Sequence, residues 1–111
     1  GRACPHHHLW SAHERERAEA MLQIDAVIDA ARKRLGELGK ERQGIDDEME
    51  FYKKDPSKAP AYLRRQLEEN IQSQSVQIRF INEQKAEVER VNVRFDEELG
   101  RLRQLWTTVS R

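Results

Sequence analysis

RLGELGKERQGIDDEM, residues 34–49, sets glycines at 36, 39 and 44 inside a run otherwise rich in strong helix formers. Each glycine in a helix interior costs about 1 kcal/mol relative to alanine. The stretch therefore either breaks a helix or keeps bare backbone for a purpose. Apolar spacing decides the first point. From Met21 the series Met21, Ile24, Ile28, Ala31, Leu35, Leu38, Arg42, Ile45, Met49, Tyr52 steps alternately by three and four, with Arg42 its one polar member. The phase passes unbroken through all three glycines, which fall on the outer positions. A break would shift it. The helix runs on.

A second series follows: Leu67, Ile71, Gln74, Ile78, Ile81, Lys85, Val88, Asn92, Phe95, Leu99, Leu102, Trp106, Val109. A 3.5-residue period sustained over this length, with charges outside, is the pattern of a coiled coil. Between the two lies KKDPSKAP, residues 53–60. Pro56 disfavours helical geometry at Asp55 and so ends the first helix near Lys54. Asp55 or Ser57 can cap the next element, and Pro60 is tolerated in a first turn. Upstream, Ser11-Ala12-His13-Glu14 reads as a capping box, which places the first helix start near residue 12. The expected layout is a flexible Cys/His-rich tail over residues 1–10 and a helical hairpin over 11–111. Within the hairpin, helix one spans about 12–54, the turn 55–60 and helix two about 61–109.

A short connection between long helices makes them antiparallel. Pairing residues whose numbers add to 116 puts Met49 against Leu67, Leu38 against Ile78 and Met21 against Phe95. The same register sets polar Arg42 beside polar Gln74. The expected fold is all-α, a long antiparallel two-helix coiled-coil hairpin that pairs into a four-helix assembly.

Composition narrows function. The 111 residues carry 20 basic and 20 acidic side chains, 36% charged in all. That cancellation argues against a general nucleic-acid or anionic-surface binder, which needs a surplus of Lys and Arg. No apolar run approaches a membrane span, so the segment reads as soluble, with the cytoplasm as the default location. The chain opens on Gly1, which leaves room for a removed leader or anchor. Pairs such as Asp29 with Lys33, Glu50 with Lys54 and Glu97 with Arg101 fit a solvated outer surface.

One stretch departs from that surface. NIQSQSVQI, residues 70–78, holds no charge. Asn70, Gln77 and Gln84 share one outer row, Ser73 and Phe80 a neighbouring one, and Val76 takes a position where charge is usual. With Gly36, Gly39 and Gly44 on the other helix, these residues form a candidate surface for close approach of another helix. Trp106, with Leu105, Val109 and Trp10, forms a second candidate patch. The expected partner is a second copy or another helical protein.

Two alternatives remain at the sequence level. Lys53, Lys54, Lys58, Arg64 and Arg65 concentrate positive charge at the turn, which suits an arm contacting a polyanion or nucleic acid. Cys4, His6, His8 and His13 are chemically able to hold a soft divalent metal, but their spacing matches no established zinc pattern. Catalysis has no support: no Ser or Cys has a positioned base and no glycine-rich loop follows a strand. The expectation is a non-enzyme without a cofactor.

Overall fold

The structure is a computed structural model that describes the backbone of residues 5–109 and the side chains from Trp10 to Val109. Helix α1 spans Pro5–Met49 and helix α2 spans Ala61–Val109. No strand occurs among the described residues. The fold is an all-α helical hairpin. Proline's fixed φ suits a first helical position, so α1 begins at Pro5 and the Ser11–Glu14 box lies inside it. That is a correction to the start expected near residue 12.

The connection is tight. After Met49 the chain narrows into a 3-10 turn, Glu50–Tyr52, and the Asp55 amide donates to the Tyr52 carbonyl at 3.1 Å. Asp55 takes extended backbone, with φ −149° and ψ 85°, as a residue before proline must. Its carboxylate accepts the Ser57 amide at 3.3 Å and caps a second 3-10 turn, Pro56–Lys58. The Pro60 carbonyl then accepts from the Leu63 and Arg64 amides, each at 3.1 Å, which starts α2.

The helices contribute to two compact units. The turn-end unit comprises Ile28–Glu83. Ile45, Ala59 and Leu63 form a buried cluster there, with Met49, Tyr52 and Leu67 packed against it. Ile28, Ala31, Leu38 and Ile81 are buried in the same unit. The open-end unit joins residues up to Val27 with those from Gln84. Ile24, Val91 and Phe95 are buried in it, together with His13. On α1 the expected seam holds throughout: every member of the Met21–Tyr52 series is buried or half-buried.

Helix α2 meets α1 in a different register from the one the heptads suggest. In the turn-end unit Ile45 packs with Leu63, and Asn70 bonds the Leu38 carbonyl. In the open-end unit His13 bonds the Phe95 carbonyl. In all three pairs the residue numbers add to 108, not 116. A heptad absorbs seven of those eight residues, and the eighth turns α2 by one position. The row Leu67, Gln74, Ile81, Val88, Phe95 stays inward in either register. The row Asn70, Gln77, Gln84, Val91 replaces Ile71, Ile78, Lys85, Asn92 as its inner companion.

Two physical causes favour this outcome. The chain reverses between Tyr52 and Asp55, so by Ala59 it already packs back on Ile45. A turn centred on residue 58 would leave that early return unused. The observed register also leaves Lys85 exposed, whereas burying an unpaired ammonium is costly.

Leu63 is 1% exposed. Leu63→Ala should therefore lower the unfolding free energy by about 2–5 kcal/mol in urea titrations at low protein concentration. Ile78→Ala at the same dilution should cost far less, the reverse of the order that the 116 register requires.

Candidate helix-docking surface

Within the turn-end unit the seam consists of two rows on each helix. Ile45 with Leu63 and Leu38 with Asn70 bring one row of α1 against one row of α2. The second pair of rows, Leu35, Arg42, Met49 on α1 and Leu67, Gln74 on α2, then shares the opposite side of the hairpin. Those five are half-buried, while Leu38, Ile45, Leu63 and Asn70 are buried, so over this stretch the second side is the more open one; farther along the same rows Ile28 and Ile81 are buried. At 100° per residue, Ile71 and Ile78 flank that open side on α2. Gly36 and Gly39 flank it on α1.

Ile71 is 43% exposed and Ile78 50% exposed, one heptad apart. A Cβ built at Gly36, Gly39 or Gly44 would meet nothing within 4 Å. None of the three has positive φ. Nothing inside the chain requires them to be glycine. The open side therefore carries two projecting isoleucines on one helix and bare backbone on the other, with Ser75 and Gln43 nearby and Arg42 held to Asp46 at 2.8 Å.

The residues expected to form one surface are distributed over three places. Asn70 lies in the seam, 1% exposed, where its Nδ2 donates to the Leu38 carbonyl at 2.9 Å and its Oδ1 accepts from Gln74 Nε2 at 2.7 Å. Gln77 and Gln84 follow in the same inner row and are half-buried. Ser73, Val76 and Phe80 lie beyond that row, on the side of Gly44 and away from Gly36 and Gly39. Val76 is exposed and Phe80 half-buried. The pairing of Arg42 with Gln74 is replaced by Arg42–Asp46 and Gln74–Asn70. Ile71 and Ile78 were hidden from sequence reasoning because their heptad spacing is as good as that of a seam row; their exposure is the signal that separates them.

In the open-end unit, Trp106 is 38% exposed, and the Arg103 guanidinium lies 5.4 Å from the Trp10 ring centroid. His13 is 7% exposed. Its Nε2–H donates to the Phe95 carbonyl at 2.8 Å, Nδ1 stands 3.5 Å from the Glu98 carboxylate, and the ring lies against Phe95 at 4.8 Å between centroids. Nε2 is thus committed to a backbone carbonyl in the seam, and Nδ1 faces a part-exposed carboxylate. Of the other candidate donors, Cys4 and the side chains of His6 and His8 lie outside the described residues. Among the described residues no cluster of three or more His, Cys, Asp or Glu is arranged to hold a metal ion.

Most surface ion pairs form within one helix turn, and Arg17 meets Asp96 across the helices of the open-end unit at 2.7 Å. Asp29 meets Arg32 at 4.0 Å instead of Lys33, and Glu50 meets Lys53 at 2.9 Å instead of Lys54. Exposed pairs of this kind contribute about 0–1 kcal/mol each and organise nothing further. No helix among the described residues is long and apolar enough to cross a membrane. No protein-family model, curated protein or solved structure matches the chain.

Asn70 is the polar residue on which the seam depends. Asn70→Ala removes the donor to Leu38 and strands Gln74, so it should cost about 1–3 kcal/mol by chemical denaturation. Asn70→Leu should recover much of that loss while admitting the alternative register, read as a second set of amide resonances.

Proposed function

We propose that this chain is a structural, protein-interaction module without catalytic activity, and that it self-associates through the open side of its turn-end unit. Two hairpins then form a four-helix assembly. The observation that supports this reading is the exposure of Ile71 and Ile78 on the same side of the hairpin as the bare backbone of Gly36 and Gly39.

A helix in a two-helix pair needs only a narrow apolar seam. A helix in a four-helix bundle touches two neighbours and needs a wider one. Helix α2 carries that extra width at Ile71 and Ile78. Fully covering both side chains would contribute about 1.5–3 kcal/mol each at most, in proportion to the area still exposed.

The occupant that fits best is a second copy. A twofold axis brings the same surface of each protomer against its partner, so the surface must complement itself. Here one helix supplies projections and the other supplies absent side chains, on the same side of the hairpin. Twofold pairing places the isoleucines of each copy over the glycines of the other. Small residues permit that close approach, and the lack of charge between residues 70 and 78 lowers the desolvation cost.

Sedimentation velocity across a concentration series tests the reading, with a dimer expected. Ile71→Lys combined with Ile78→Lys should yield a monomer that keeps its helical circular dichroism. Gly39→Ala should stabilise the isolated hairpin by about 0.5–1 kcal/mol through helix propensity. At the proposed contact it should instead weaken association by about 1–3 kcal/mol from overpacking. Gly44→Ala and Phe80→Ala, on the other side, should leave association unchanged. A chain that stays monomeric at every concentration overturns the proposal.

A further inference from the structure

The side of the turn-end unit opposite the two isoleucines has a composition of its own. At 100° per residue, Glu41 and Glu48 flank the buried Leu38–Ile45 row on α1, with Glu37 and bare Gly44 next outward. On α2, Ser73 and Phe80 flank the Asn70–Gln77 row. Tyr62, Glu69, Val76 and Glu83 form the next row outward, each seven residues from the last. Tyr62 is 55% exposed and Val76 54%, while Phe80 is half-buried. Apolar surface and exposed acids therefore share one side of the unit.

The charge there has one sign. The cation at these flanking positions of the unit is Arg34, and Glu37 already engages it at 3.3 Å. Glu41, Glu48, Glu69 and Glu83 are exposed and enter no ion pair among the described residues. On the isoleucine side, by contrast, Asp29, Asp46 and Glu50 are held by Arg32, Arg42 and Lys53. The balancing cations Lys33, Lys40, Arg65 and Arg79 lie on the outermost rows, about 50° farther from the groove between the helices. In the 108 register Glu41 comes level with Leu67, so Glu41 and Glu69 stand within about 3 Å of rise of each other along the hairpin. Like charges at one level maintain a negative potential that an incoming cation relieves.

We propose that this side receives a basic amphipathic helix of a protein partner, laid along the groove between α1 and α2. Its apolar residues cover Phe80, Val76 and Tyr62, and its Lys and Arg meet the four free carboxylates. Tyr62 and Val76 are separated by about 21 Å of rise, so the partner helix spans about four turns. Charge selects this occupant. A twofold contact through this side would set the same acids of two copies face to face, and like charges across an interface suppress pairing. An acidic helix meets the same repulsion. Bare backbone at Gly44 lets the basic helix approach closely. Such binding weakens as salt rises, because the carboxylates are exposed and screened. It is independent of the self-association proposed above, which uses the opposite side.

Fluorescence anisotropy with a labelled synthetic helix of leucine and lysine in heptad spacing tests the proposal on the full chain. The same peptide with glutamate in place of lysine is the second arm. Binding is expected for the lysine peptide only, and it should fall as salt rises. Glu41→Gln combined with Glu69→Gln should weaken it about fivefold. Removing equal charge from the isoleucine side, by Asp46→Asn with Glu68→Gln, should leave it unchanged. Val76→Ser should weaken it on the order of fivefold through lost apolar contact. Val76 is exposed, so that variant should keep its helical circular dichroism, and Tyr62→Ser provides a second. No binding of the lysine peptide at low salt overturns the proposal. So does equal binding of the glutamate peptide, or equal losses from the two pairs of charge variants.

Discussion

The early chain reversal at Tyr52–Asp55 is the constraint on which the rest of the structure depends. A hairpin with no sheet and no disulfide has few ways to fix the relative slide of its helices. Here the backbone bonds of the reversal, the Asp55 cap and the packing of Ala59 and Leu63 on Ile45 close the turn within a few residues. Once that end is closed, each later layer follows at about 1.5 Å of rise per residue. The positions of Asn70 and Ile71, one inside and one outside, descend from a turn some fifteen residues away.

Asn70 reinforces that choice by a different kind of energy. Its carboxamide is almost fully enclosed, and a buried amide without partners costs far more than a satisfied one gains. In the observed register it finds the Leu38 carbonyl and Gln74. Sliding α2 by a residue would forfeit the bond to the Leu38 carbonyl and draw Lys85 inward. The turn makes the register available, and the polar residues penalise its neighbours. His13 has a matching part in the open-end unit, where its ring packs on Phe95 and bonds that residue's carbonyl.

The proposed self-association follows from what this register leaves uncovered. Rotating α2 by one position takes two isoleucines out of the intrachain seam and sets them beside a glycine-lined stretch of α1. It also leaves Gly44, Val76 and Phe80 on the far side, so the uncharged segment at residues 70–78 is divided between seam and surface. The tip is shaped by the same turn: the geometry that tucks Tyr52 inward sends Phe51 outward.

The residue pattern alone yields two long helices interrupted before Pro56 and the inward face of α1, although α1 ends at Met49 and not near Lys54. Its 3.5-residue period is unambiguous there, because charged residues flank a single apolar series. Glycines on outer positions leave that phase intact, so their propensity cost does not disturb it. On α2 the sequence offers two rows of similar quality on either side of Leu67, Gln74 and Ile81. One is spoiled by Lys85 and Asn92, the other by Asn70, Gln77 and Gln84. Periodicity cannot rank them, since it records spacing and not the pairing partner across the interface. Only the tertiary structure, through the turn and the carbonyl that receives Asn70, decided which row is core and which is surface. With a period so close to seven, a register shift of one heptad plus one residue exchanges a buried isoleucine for an exposed one.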